Sequence, residues 1–457
     1  MMILSSAITD NFGLRELALC AVLLIIVAYA KRLRDYMDYW KNQNVPYEEF
    51  SFFRGPISRI AREPFHEIDM KRLKKHGKIF GSFEGPTPTL VVADPDLVKL
   101  VLVKYFQELP DRRHVTLNDP ILDNMMNLVG ADRWRKLRPA ASPAFSTGKL
   151  RKMNSIIHDC ARITTQHLLQ IAEEGKDFDP KEFFGHYTLD VIARSAFGAR
   201  LESRSAQANE FVARLHTAFA IKPTFPLILI LYAWILFPFM LKLHIFSPDT
   251  FLFLKNFCLN VIEERKQSSV KHQDFLQLMV DAQDRGLQGS AEGSQDAEDE
   301  LCNLGTEQTV EKAVSTKALS KEEALSQCVS FFIAGQDATS SVLAYTFYLL
   351  AVNPDVQQRL REEVDGCFKV DVRFNEENVG SIRPYSYLPF GAGPRNCIGR
   401  RLALQALKLC LLHIVHSVEL VRTENTRCYE AAIKLRGVKK SSKAAEVILE
   451  YWDSAWT

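Results

Sequence analysis

Hydrophobic positions fall into three patterns along this chain. The first lies near the N-terminus, where Leu17 to Ala30 is an uncharged run closed at once by Lys31, Arg32 and Arg34. Extended back to Phe12, it would span about 28 Å as a helix at about 1.5 Å per residue, with Arg15 and Glu16 near one interface. No small-residue cleavage site follows it, and Asp10 and Glu16 argue against a mitochondrial leader. Residues 1–30 therefore read as an uncleaved membrane anchor, and the basic flank keeps the rest of the chain on the cytosolic side.

The second pattern is helical. Leu150 to Ile171, Lys181 to Phe197 and Asn209 to Ala220 carry apolar residues at i, i+3 and i+4, within a mostly helical stretch from Trp134 to about Arg265. Ser326 to Leu350 is apolar on most faces and predicts a long helix through the core. Leu402, Leu404, Leu407, Leu409 and Leu412 predict another. The third pattern is extended: Lys78 to Val92 reads as two short strands across a Gly-Pro turn, after which Asp94-Pro95 opens a helix.

Between these lie a polar and aromatic connector (36–56), a breaker-rich uncharged run and a linker. The run, Pro226 to Leu241, contains Pro238 and reads as a loop dipping into the bilayer. Residues 286–320, rich in Gly, Ser, Glu and Gln, read as the exposed linker. The expected fold is mainly α with a minor β region, divided into an anchor (1–30), a connector (31–60) and one folded body (61–457).

Composition narrows the function classes. At 457 residues, length alone allows about three domains or one large helical enzyme. A net charge of +2 without a dominant Lys/Arg stripe argues against nucleic acid as a partner. Nine cysteines with no CxxC spacing fit reduced thiols facing the cytosol better than a disulfide framework.

One of those cysteines carries chemistry. In Phe390-Gly391-Ala392-Gly393-Pro394-Arg395-Asn396-Cys397-Ile398-Gly399 a cysteine sits in a glycine-bracketed loop, two residues after an arginine and seven after a phenylalanine. A thiolate that ligates haem iron needs these parts. Glycines at Gly393 and Gly399 allow a tight hairpin whose N–H groups damp the sulfur's charge. Arg395 can pair with a propionate, and Phe390 can shield the ligand from water. The competing reading is a buried structural thiol beside a glycine turn.

Upstream, Ala334-Gly335-Gln336-Asp337-Ala338-Thr339 lies inside the long apolar helix. A mid-helix glycine costs about 1 kcal/mol, so it marks close approach of something bulky. Ala334 and Gly335 would let the helix pass over a flat macrocycle, with Asp337 feeding protons and Thr339 the nearest hydroxyl. Trp134 and Arg138 stand one turn apart on one face and can both reach a propionate, with Arg112 a further candidate. Arg133, Arg135, Lys136, Lys149, Arg151 and Lys152 form a basic face that suits an acidic electron-donor flavoprotein or is merely solvated.

These motifs resemble those of the cytochromes P450, closest to microsomal family 3 and thromboxane-synthase-like members. The likeness extends from Tyr39 to about Leu420, through Arg135-Lys-Leu-Arg-Pro, Asp274 to Gln283 and Ser381 to Phe390. It implies the P450 fold, with Cys397 as the metal ligand of haem b. It also implies NADPH–cytochrome P450 reductase and cytochrome b5 as partners, a lipid bilayer, the endoplasmic reticulum and a lipophilic small-molecule substrate. Loops around 114–130 and 221–246 would line the pocket.

Three departures qualify the likeness. Ala338 stands where the family places a threonine. No Glu-x-x-Arg pair precedes Cys397, and only 58 residues separate Thr339 from Cys397. An internal deletion near 366–373 accounts for the last two, removing the bracing helix and neighbouring strands and leaving Arg373 as an unpaired cation. Three readings follow: a haem-thiolate monooxygenase, an endoperoxide isomerase of the same fold, and a truncated product that binds haem weakly.

Overall fold

The computed structural model describes residues 14–49, 65–84, 87–112, 119–199, 205–218, 248–267, 274–288, 319–367, 383–426 and 431–437. The run at Pro226 to Leu241, most of the linker at 286–320, Arg373, residues 114–118 of the first pocket loop and all of the second lie outside the described residues. The chain forms two compact units.

The smaller unit contains α1 (Leu14–Met37), α2 (Tyr39–Asn42), α3 (Phe65–His76), strands β1 (Ile79–Glu84) and β2 (Thr87–Val92), and α4 (Pro95–Lys99). β1 and β2 form the expected antiparallel hairpin, with Ile79 opposite Val92. Asp94 caps α4 by accepting from the Asp96 and Leu97 N–H groups, the Asp-Pro start read from the sequence. Buried Trp40 lies against the backbone of Gly81 and donates its indole N–H to the Ser82 carbonyl at 2.9 Å. α1 displays Leu19, Val22, Leu23, Leu24, Ile26 and Val27 to the exterior. Among the described residues no helix is long and apolar enough to cross a membrane. Charges at both ends of α1 confine its uncharged run to Leu17–Ala30.

The larger unit holds α5 (Ala131–Ala141), α6 (Thr147–Glu174), β3 (Asp177–Phe178), α7 (Pro180–Phe197) and α8 (Ala206–Ala218). It continues with α9 (Pro248–Gln267), α10 (Phe275–Gln288), α11 (Lys321–Val352), α12 (Pro354–Cys367) and α13 (Arg400–Ser417). Strands β4 (Val418–Thr426) and β5 (Ala431–Gly437) complete an antiparallel sheet of order β3-β5-β4. The mainly helical architecture with a minor β region is the expected one.

α11 is longer than its apolar pattern because a capping box starts it five residues before Ser326. The Ser320 hydroxyl accepts from the Glu323 N–H, and the Glu323 carboxylate accepts from the Ser320 N–H. α7 packs along α11 with Phe184 against Phe347 and Phe197 stacked on Phe332. α6 packs on α13, where Asn154 accepts from Gln405 and His158 meets His413 at 3.1 Å. α12 replaces a backbone partner for β4: the Gln357 side chain accepts from the Leu420 N–H and donates to its carbonyl.

Candidate active site

The cysteine loop is a hairpin that only glycine backbone makes inexpensive. Gly391 and Gly393 have φ of 72° and 68°, a region that costs a side-chain-bearing residue about 1–2 kcal/mol. The two turns let the Asn396 N–H donate to the Gly393 carbonyl at 3.0 Å and the Cys397 N–H to the Phe390 carbonyl at 2.8 Å. Phe390 is half-buried, and Gly399 caps the start of α13. Cys397 is exposed. By contrast Cys160, Cys258, Cys328 and Cys410 are buried, and burial pushes their thiols up. The alternative of a buried structural thiol is therefore set aside for Cys397.

Three arginines converge on this loop. Arg138 donates to the Asn396 carbonyl at 2.8 Å and to its side-chain oxygen at 2.9 Å. Arg112 donates to the Arg395 carbonyl at 2.7 Å. Arg395 is buried, donates weakly to the Val129 carbonyl at 3.3 and 3.4 Å, and lays its guanidinium over the Trp134 ring at 4.8 Å. Trp134 is itself buried on α5, so the indole serves as a platform for Arg395.

The electrostatics of the cluster are unbalanced. Burial lowers the Arg138 guanidinium below its ordinary value; the Cys397 sulfur opposes this and Arg112 adds to it. Burial and then Arg112 lower Arg395 too, with Asp111 opposing. Among the described residues none of the three arginines has a carboxylate within ion-pair distance, and the Arg395 Nε is buried without a partner. Guanidiniums held on carbonyls, one with an orphaned N–H, beside an exposed thiol suit a group that brings two carboxylates and an iron. The residues fit haem.

The other face of the site is α11. Ala334 and Ala338 are exposed, and Val342, Tyr345 and Leu349 continue the same strip along the helix. Gly335 does not belong to it, which corrects the expectation that it opens room for a macrocycle. A Cβ there would lie 2.6 Å from Ile192 Cδ1, so the glycine admits α7 to α11. Thr339 is buried on one flank of the strip, and the exposed residue at the preceding position is Ala338, which carries no hydroxyl. Asp337 lies on the other flank, and its carboxylate receives the Lys181 ammonium at 2.7 Å.

Sequence reading missed Lys181 and Asn396. Lys181 is 156 positions from its partner and carries no local signal. Asn396 sits inside the loop already singled out, where its position beside the ligand was the only available cue. Glu323 was also missed, although Ser-x-x-Glu at Ser320 is legible; it ties Lys136 at 2.7 Å and Arg133 at 3.5 Å, bracing α5 against the start of α11. The basic face is therefore partly neutralised.

Comparison with known proteins adds an independent line. The family model "Cytochrome P450" matches residues 46–371 and 367–431. The chain is 30% identical over 459 residues to cytochrome P450 3A2 of Rattus norvegicus, covering 83% of this chain and 86% of the relative. It is 28% identical to cytochrome P450 3A41 of Mus musculus, covering 90% and 91%. To cytochrome P450 3A31 of Mesocricetus auratus it is 28% identical, covering 92% and 93%. Glycine hairpin, exposed thiol, arginine cluster and the match over most of the length agree, and the chain belongs to the cytochrome P450 family, close to its family 3 members.

Proposed function

We propose that this chain is built as a haem-thiolate monooxygenase for lipophilic small molecules, using dioxygen and electrons from NADPH–cytochrome P450 reductase. Cys397 would hold the iron of haem b through its thiolate. Arg112, Arg138 and Arg395 hold the propionates, the last from its platform on Trp134. Gly393 and Gly399 shape the loop, and Phe390 covers the sulfur. The small residues Ala334 and Ala338 face the macrocycle. Bound through the thiolate, haem supplies dioxygen activation, with the sulfur donating electron density. Asp337 would relay protons from solvent, and Thr339 offers the neighbouring hydroxyl.

Residues 1–30 attach the chain to the endoplasmic reticulum membrane with the body on the cytosolic side, where reductase and cytochrome b5 reach it. The exposed aliphatic side chains of α1, followed by Lys31, Arg32 and Arg34, support this.

The observation that carries the reading is the exposed Cys397 sulfur on a loop held by three guanidiniums that, among the described residues, have no carboxylate within ion-pair distance. Its test is the spectrum of the reduced carbonyl adduct of the full chain in microsomes. A thiolate-type Soret band that is lost in Cys397→Ser is expected; a band that persists in that variant refutes the assignment.

An internal deletion modifies this reading. The alignment to cytochrome P450 3A41 runs over 490 positions but takes in only 90% of 457 residues, so about 80 positions fall opposite gaps in this chain. The family match in two pieces, 46–371 and 367–431, supports an interruption near their junction. Haem occupancy below that of a full-length relative is the expected consequence, and stoichiometric haem argues against a weakly binding product. The exposed methyl of Ala338 favours a second reading, an endoperoxide isomerase that needs no proton delivery; turnover without reductase separates it from the first.

A further inference from the structure

The strip on α11 runs on past Ala338. Val342, Tyr345 and Leu349 are 47%, 47% and 55% exposed, although α11 packs on α7, α9, α10 and β4. They recur at i, i+3 and i+7, so they stack into one apolar ridge about 10 Å long rather than three scattered surface residues. The other side of the same turns is core: Leu343, Phe347 and Leu350 are buried. A contiguous apolar ridge on a core helix marks a face that something else covers. The internal deletion proposed above would leave such a face.

The chain carries a segment suited to it. Residues 444–456, outside the described residues, read Ala-Ala-Glu-Val-Ile-Leu-Glu-Tyr-Trp-Asp-Ser-Ala-Trp. At about 100° per residue, Ala444, Val447, Ile448, Tyr451, Trp452 and Ala455 fall on one face and Glu446, Glu450 and Asp453 on the other. Ser442 stands just ahead of the run, where an N-cap belongs, and no Gly or Pro interrupts it.

Reach and direction agree with this. β5 ends at Gly437, which pairs with Val418. Two positions further along β4, or about 7 Å, the Leu420 carbonyl shares the Gln357 side chain with the Leu350 carbonyl, at 3.0 and 3.2 Å. Gly437 therefore lies close to the point where β4 meets the end of the ridge. Residues 438–443 span up to about 20 Å when extended, enough to carry the following residue to Leu349. A helix entering there runs antiparallel to α11, its positive end beside the negative end of α11.

We propose that residues 444–456 dock as an amphipathic helix on the Val342–Tyr345–Leu349 ridge, so that the chain covers its own exposed face of α11. Val447, Ile448 and Tyr451 bury against the ridge, and the three carboxylates face water. This cover keeps the ridge from lipid and from a second copy of the chain. It depends neither on haem nor on the reaction assigned above.

The test replaces Leu349 by the photo-reactive residue p-benzoylphenylalanine in the full chain in microsomes and maps the adducts by mass spectrometry. Intrachain adducts within 444–456 are expected. Ile448→Glu, at the centre of the apolar face, is expected to lower their yield about tenfold, the scale of losing one buried isoleucine. Glu450→Gln, on the opposite face, is expected to leave the yield unchanged. The same photo-reactive residue in place of Tyr451 is expected to label α11 within 338–352. Adducts from position 349 to lipid acyl chains or to a second copy instead of 444–456 overturn the proposal. So do equal yields in Ile448→Glu and Glu450→Gln, or the lack of any α11 adduct from position 451.

Discussion

Arg138→Met is the most informative single change, because it separates the loop's own stability from the cofactor it would hold. The guanidinium makes two bonds to Asn396, at 2.8 and 2.9 Å, directly beside Cys397. Charge-assisted bonds contribute about 1.5–3 kcal/mol each, so the gross loss is about 3–6 kcal/mol. Two terms reduce it. The variant no longer keeps a cation that burial and Arg112 both disfavour. The freed oxygens of Asn396 lie on a loop that water reaches. A net cost of about 2 kcal/mol remains, which is about a 30-fold increase in loop opening. Hydrogen exchange read by mass spectrometry across residues 390–399 measures this without any haem. Asn396→Ala supplies the second arm, and a double-mutant cycle should return a coupling of about 1 kcal/mol or more. Parent-like exchange in Arg138→Met, or additivity with Asn396→Ala, refutes the reasoning.

Two other outcomes are expected. Gly393→Ala places a side chain at φ 68° and costs about 1–2 kcal/mol at the hairpin; the fraction of chain with a thiolate Soret band should fall about tenfold, and a full complement would show that the hairpin needs no glycine. His413 is pushed down to about 3, by burial first and then by His158, against 6.5 for an unburied histidine. The folded chain therefore resists a proton that the unfolded chain accepts. This contribution to stability is fully present above pH 6.5 and is lost as pH falls toward 3, by about 1.4 kcal/mol per pH unit at the steepest. Urea melts across that range should flatten in His413→Gln, and identical slopes would show that other groups govern the acid limb.

The sequence revealed what is local and periodic. Trp134, Arg138, Arg395 and Cys397 were legible because short spacing placed them, and the helical body because apolar residues recur every three to four positions. What it hid is set by long-range packing. Gly335 looked like space for a ligand, but only the fold shows Ile192 filling it. Arg395 reads from the sequence as a partner for a propionate, yet its stacking on Trp134 depends on how α5 meets the loop. The Lys181–Asp337 ion pair needs α7 and α11 side by side, which no linear motif encodes.

The contrast between Cys397 and its four sheltered counterparts has a practical result. Cys20 and Cys397 meet solvent. Under the proposed ligation by Cys397, a newly made chain that waits for its haem offers oxidants and alkylating agents the very sulfur that would hold the iron. Ageing before filling would silence the protein while leaving it folded, so its useful lifetime is a race between cofactor supply and chemical capping of one atom.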